Sequence, residues 1–184
     1  MTLAKDRGPG METVTAFPTC CALARDGAWK ALRETADDVL RRIREQGAGR
    51  PFEPIFLAHI GTAQFALGEF AASRAAAHEG VVFMRSSHCL FNPHSYAVLA
   101  RAQLALEEPV ADIARTLDEY EALLARTGFH IYEGELHELR ARLAEREGQQ
   151  AERAAALARA HECYTRFGMT APAARVTDVA GNLT

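Results

Sequence analysis

A chain-breaking turn recurs along this sequence at a nearly constant interval. It reads Asp26-Gly27, Leu67-Gly68-Glu69, Glu107-Glu108-Pro109 and Glu147-Gly148-Gln149. Marked at Gly27, Gly68, Glu108 and Gly148, the steps are 41, 40 and 40 residues. A second series, Gly47, Ser87, Gly128 and Gly168, falls between these marks with steps of 40, 41 and 40. Two interleaved breaker series with one shared period predict a helical hairpin repeated along the chain. A single irregular bundle would not space its turns so evenly.

The residues between the breakers support helices. From about residue 12 onward Ala, Leu, Arg and Glu dominate, and no alternating run rich in β-branched residues interrupts them. The first hairpin is expected to pair 12–25 with 28–46. Trp29, Leu32, Ala36, Val39, Leu40 and Ile43 of its second helix form one apolar face at i, i+3, i+4, i+7 spacing. The second pairs 53–67 with 70–86, with Pro51 and Pro54 where a first turn tolerates a missing N–H. The third pairs 93–107 with 109–127 and takes Asn92 as its N-cap before Pro93. The fourth pairs 130–147 with 150–167, with Ala154, Leu157, His161 and Tyr164 as its inward stripe. A short helix over 171–180, started at Pro172, would cap the open end. Residues 1–11 read as a loose tail, 12–180 as one repeat domain and 181–184 as a second tail.

Composition excludes several function classes. The 184 residues are 48% hydrophobic and 24% charged, with a formal net charge of −3. A chain of this size buries roughly 70% of its unfolded surface, so a core forms without staples. Lys and Arg are scattered among Asp and Glu, leaving no basic face for nucleic acid or an anionic membrane. Arg41-Arg42-Ile43-Arg44 is followed by Glu45 and reads as a solvated helix face. No stretch reaches the roughly 18 apolar residues of a membrane span. The N-terminal residues lack the apolar core of a signal peptide, so a cytoplasmic location is expected. Cys20, Cys21, Cys89 and Cys163 show no CxxC spacing and are expected to be free thiols.

Position-by-position comparison sharpens the repeat. Ile60-Gly61, Gly68 and Phe70 stand where the tetratricopeptide pattern places Leu-Gly, a turn Gly and an aromatic. Gly61 and Ala100 occupy a slot where two helices cross closely, Ala141 fills it in the fourth unit, and Trp29 matches Phe70. The period of 40 exceeds the usual 34 of that repeat. The stretch RTGFHIYEGELHELRARLAEREG, with Thr127, Gly128, Tyr132, Glu133, Glu135, Leu136 and Gly148, resembles a specific relative. It is similar to the penultimate repeat in the C-terminal region of large bacterial ATPase-coupled adenylate-cyclase-like proteins and related transcriptional regulators. AERAAALARAHECYTRFGMTAPAARV resembles the last helix and capping helix of the same region. The likeness spans about residues 50–180, with specific wording only in 126–168.

The resemblance implies an all-α, right-handed array of about four antiparallel helical hairpins, a TPR-like α-solenoid, and a link to signalling. It does not bring the family's catalysis with it. The chain has no GxxxxGK[ST] loop, no cyclase-type metal aspartate pair and no helix-turn-helix segment. It is then either a free-standing relative of that module or a piece of a larger protein.

Clusters that could carry chemistry are sparse. His88-Cys89 with His94, and Glu133 with His137 at i, i+4, do not supply the three or four ligands of a zinc site. His161-Glu162-Cys163 reads as helix packing. Nucleophilic catalysis by Cys20 or Cys163 would need a positioned base and an oxyanion hole, and nothing in the sequence argues for either. Tyr132 is expected to pack between hairpins, and Glu133 and Glu135 to favour a helix N-terminus. No catalytic, cofactor or metal residue is therefore assigned, and the chain is not read as an enzyme. The expected task is scaffolding by binding a protein or peptide partner on the first helices of the hairpins. The exposed candidates there are His59, Gln64, His94, Arg101, Gln103, Glu133, His137 and Arg140. An uncapped array end would pair two copies. The competing reading is a helical metal-binding or small-ligand-binding protein whose enzymatic activity uses His and Cys.

Overall fold

Every helix whose C-terminal turn is described here ends where the next residues can leave the right-handed region. The computed structural model describes residues 9–87 and 92–181, and all regular elements among them are helical. These are α1 (Pro9–Arg25), α2 (Trp29–Gln46), α3 (Glu53–Ala66), α4 (Phe70–Ser87), α5 (His94–Ala105), α6 (Val110–Thr127), α7 (Glu133–Arg146), α8 (Gln150–Arg166) and α9 (Thr170–Gly181). Single 3-10 turns at Arg50–Phe52 and His130–Tyr132 lead into α3 and α7. The expected helices are all present, with ends shifted by a few residues. Helix α1 begins at Pro9, inside the stretch expected as a loose tail. Residues 1–8 and 182–184 of the two expected tails lie outside the described residues. Among the described residues no helix is long and apolar enough to cross a membrane.

The two breaker series use different hydrogen bonds. At Gly27, Gly68 and Gly148 the next residue's N–H reaches back five residues: Ala28 to Leu23, Glu69 to Gln64 and Gln149 to Ala144, each at 2.9 Å. This is the Schellman arrangement, which needs a left-handed residue before the reaching N–H. Gly47 and Gly128 instead donate four residues back, to Ile43 at 3.0 Å and Leu124 at 2.9 Å. Gly168 belongs to the second series by position but closes the Schellman way, with Met169 N–H on Tyr164 at 2.8 Å.

The third turn corrects the sequence reading. The left-handed residue is Glu107, at φ 54°, and not Glu108. Glu108 precedes Pro109, whose ring favours extended backbone in the residue before it. The Schellman bond therefore forms one residue earlier, from Glu108 N–H to Gln103 at 3.0 Å. A side chain at positive φ costs on the order of 1 kcal/mol that glycine avoids. Glu107→Gly should raise stability by about 0.5–1 kcal/mol, because the Glu107 carbonyl, which accepts from Arg146 at 2.8 Å, is retained. An unchanged or lowered denaturation midpoint would refute it.

The chain divides into two compact units, Met1–Ala102 and Gln103–Thr184, with the boundary inside α5. In the first, α1, α2 and α3 pack successively and α4 lies along α3. Leu32, Ala36, Leu40 and Ile43 of α2 meet Phe56, Leu57, Ile60 and Ala63 of α3, with Cys20 of α1. Trp29 and Val39, expected on the same stripe, are half-buried against this core. Gly61 is the close-crossing slot: a Cβ there would lie 2.9 Å from Val98 and 3.3 Å from the Ser73 carbonyl oxygen. Ser73, fully buried on α4, donates its hydroxyl to the Gly61 carbonyl at 2.8 Å. Asn92 does cap α5, accepting from the His94 N–H at 3.1 Å.

In the second unit α6 packs on α7, α7 on α8 and α8 on α9. Ile113, Leu117, Tyr120 and Leu124 of α6 are buried, as are Leu136, Leu139 and Ala141 of α7. The inward stripe of α8 differs from the expected one. It is Arg153, Ala156, Leu157, Ala160 and Tyr164, while Ala154 and His161 are exposed. The i, i+3, i+4, i+7 rule holds, but its starting residue is an arginine, which apolar patterning passes over.

The hairpins α3–α4 and α7–α8 echo one another at an offset of 80 residues. Both ends of α3 and α7 obey it, as do the two 3-10 turns. Glu53 and Glu133 open the two first helices, Phe56 and Leu136 anchor them, and Gly61 and Ala141 share the crossing slot. Glu53 is 2% exposed and is held by Arg44 at 3.3 Å and Arg50 at 3.0 Å. Other corresponding positions diverge, three of them inside the hairpins. Pro54 and Met84 of the first unit become Gly134 and Tyr164, and buried Ser73 becomes buried Arg153.

Candidate functional site

Helix α7 presents the best-defined polar surface of the second unit. Its first residue, Glu133, accepts from His130 Nδ1 at 2.7 Å and from Arg166 at 2.5 Å. Burial works to raise its pKa, but these two hydrogen bonds and the charges behind them prevail and hold the carboxyl below its usual range. Glu133 therefore ties the start of α7 to the end of α8. Arg140 does the same toward α6, reaching Asp118 at 3.0 Å and Glu121 at 2.6 Å. His137, between them, is half-buried and its Nδ1 is buried without a hydrogen-bond partner. Burial keeps its pKa low, helped by the charge of Arg159. Glu135 accepts from the Tyr120 hydroxyl at 3.4 Å, and the Tyr132 ring meets Phe129 edge-on at 6.5 Å.

Gln103 was expected on an exposed face, and it is buried at 5% exposure. Its Nε2 donates to Glu108 at 3.1 Å, across the third turn. It steadies the turn one residue upstream of the position the sequence marked.

In the first unit His59, Gln64, His94 and Arg101 are all half-buried, not fully exposed. The Phe17 ring lies 5.9 Å from His59. Burial, and then the neighbouring His94, lower the His59 pKa to about 4. His94 Nε2 is 3.3 Å from the Thr62 hydroxyl. The eight expected residues thus fall into two groups, one on each unit.

Sequence reasoning missed a pocket of about 300 Å³ inside the second unit, where α7, α8 and α9 meet. Arg142, Arg153 and Arg175 line it, with Glu138 and Glu145. Its remaining wall is aliphatic: Ala141, Leu157, Val176 and Val179. Arg175 pairs with Glu138 at 2.7 Å. Arg153, 7% exposed, pairs with Glu145 at 3.2 Å, while its Nη1 is buried without a hydrogen-bond partner. Arg142 forms no ion pair among the described residues.

The three described thiols, Cys20, Cys21 and Cys163, are held toward the protonated form. Burial, and then Cys21, push Cys20 up to about 11, and burial also raises Cys21 and Cys163. Cys163 Sγ lies 3.9 Å from Glu133 Oε2, whose negative charge further disfavours a thiolate. The cluster read at His88-Cys89 lies outside the described residues. Among the described residues no group of three or more His, Cys, Asp and Glu is gathered to hold a metal ion. No protein-family model matches the chain, and no curated protein matches it.

Proposed function

We propose that this chain is a recognition module that binds a protein or peptide partner through the first helices of its hairpins. The supporting observation is the pattern of the 80-residue echo. Positions that build the hairpin recur: the opening glutamate, the crossing slot and the left-handed turn at Gly68 and Gly148. Positions on the flank of the first helix do not. Leu57 and Ile60 of α3, buried in the core of the first unit, correspond to half-buried His137 and Arg140 of α7, so this face is apolar and covered in one hairpin and polar in the other. A repeat that keeps its scaffold and varies one face is how hairpin arrays encode binding. On this reading the hairpins stack as a right-handed, tetratricopeptide-like array akin to the repeat region of cyclase-like and transcription-regulator proteins. Its role is scaffolding or regulatory.

The test is capture of partners from native lysate on the immobilised full chain, compared with Arg101→Glu/His137→Glu/Arg140→Glu. The triple variant should lose a specifically retained partner while Lys30→Glu, on α2, keeps it. Circular dichroism must show equal helicity in all three. Retention of every partner by the triple variant, or no partner above the bare matrix, would sink the reading.

A further inference from the structure

We propose that the pocket between α7, α8 and α9 binds a carboxylate carried on a short aliphatic body. The lining asks for both halves of that description. Three guanidiniums against two carboxylates leave one net positive charge to be matched. The wall formed by Leu157, Val176 and Val179 offers nothing to hydrogen-bond and favours a hydrocarbon. A volume of about 300 Å³ holds roughly ten non-hydrogen atoms at liquid density.

Arg153 is the residue that makes the site specific. The corresponding position of the first unit is Ser73, whose hydroxyl satisfies the Gly61 carbonyl inside the hairpin. The second unit puts the longest cationic side chain in that slot and spends only one edge of it on Glu145. The other edge, Nη1, is left buried and unpartnered. An unsatisfied buried donor on a charged group is costly, and native proteins normally supply an acceptor. A carboxylate entering the pocket supplies it. Its second oxygen has Arg142 at the rim, a guanidinium without an ion-pair partner among the described residues. Glu138 and Glu145 set the upper limit on ligand charge. A phosphate dianion would meet both carboxylates, whereas a monoanion exchanges one repulsion for two charge-assisted bonds.

The shared chemistry has two sources: a free aliphatic acid, or the terminal carboxylate of a peptide ending in an aliphatic residue. Titration calorimetry and methyl NMR on the full chain separate them. The probes are hexanoate, N-acetyl-leucine, an acetylated tetrapeptide ending in leucine, its C-terminal amide, and inorganic phosphate. The expected result is saturable binding of N-acetyl-leucine with shifts at the Val176 and Val179 methyls, and no comparable response to phosphate. Binding of the free-acid peptide but not its amide assigns a peptide terminus. Binding of hexanoate with exclusion of the peptide assigns a free acid.

Arg153→Met should weaken binding about tenfold or more, the loss expected for a charge-assisted hydrogen bond. Arg142→Gln, at an exposed position that leaves folding intact, should weaken it several-fold, so the test stands even if Arg153→Met unfolds. Three results would overturn the proposal. These are no saturable response to any carboxylate up to about 10 mM, unchanged affinity in folded Arg142→Gln, or phosphate binding as tightly as the acids. The inference is independent of partner capture: its failure would leave that reading standing, and the reverse also holds.

Discussion

Replacing Gly134 by alanine is expected to destabilise the second unit by about 2–3 kcal/mol. A Cβ on Gly134 would lie 2.5 Å from Cε1, 2.7 Å from Cδ1 and 2.8 Å from Cζ of Tyr164. Real side chains do not approach so closely, so the ring or the α7–α8 spacing must give. The ring is not free to move. Tyr164 is 5% exposed, and its hydroxyl donates to Glu138, which Arg175 also holds. In an open helix the same substitution would stabilise by up to about 1 kcal/mol, so the sign alone decides whether the contact matters. Urea midpoints give the measurement. The first unit points to a rescue, because Pro54 and Met84 occupy the corresponding positions there. Tyr164→Met in the Gly134→Ala background should recover more than half of the loss, although Tyr164→Met alone is destabilising. Additive effects in that cycle, or a midpoint raised by Gly134→Ala, would show that the two residues do not compete for one space.

The second large effect is acid lability centred on His59. Its pKa is lowered to about 4 by burial, with the His94 charge second, while the unfolded chain titrates near 6.5. Between these values the unfolded state binds a proton that the folded state refuses. Stability therefore falls as pH drops through 6.5 and levels off below about 4. From pH 7 to 4.5 the loss is about 2–3 kcal/mol, at 1.36 kcal/mol per pH unit. His137, whose pKa is also lowered, adds a smaller term of the same sign. His59→Gln should flatten the acid limb of a midpoint-versus-pH curve. An unchanged slope would rule His59 out as the origin. The shift also bears on recognition, since at neutral pH His59 meets a partner as an uncharged ring.

The turns were legible in the sequence because they depend on single residues. Gly27, Gly68, Gly128 and Gly148 all take positive φ, and each announces itself locally. The third turn was misplaced by one residue because its left-handed member is a glutamate, dictated by the proline two positions on. The apolar stripe of α2 was equally plain, since Leu32, Ala36, Leu40 and Ile43 are buried by their own spacing. The stripe of α8 was not. Its opening residue is charged, and hydrophobic patterning shifted the face toward Ala154 and His161. That same arginine lines the pocket, so the site was hidden by the feature that distinguishes it.

Period, helix composition and cap chemistry are properties of neighbouring residues, and the amino-acid order determined them unaided: helices ended by turns at a 40-residue step, with glycine at most of the ends. Burial of a particular side chain depends on what comes against it from residues far along the chain. Gly134 is small because Tyr164, thirty residues later, fills its space. Gln103 is buried and spends its amide on Glu108 across the third turn. Arg153 keeps a donor unmet because α7 and α9 enclose it while Glu145 reaches only one edge. Those facts belong to the tertiary structure alone, since local spacing records which residues share a face but not what that face will meet.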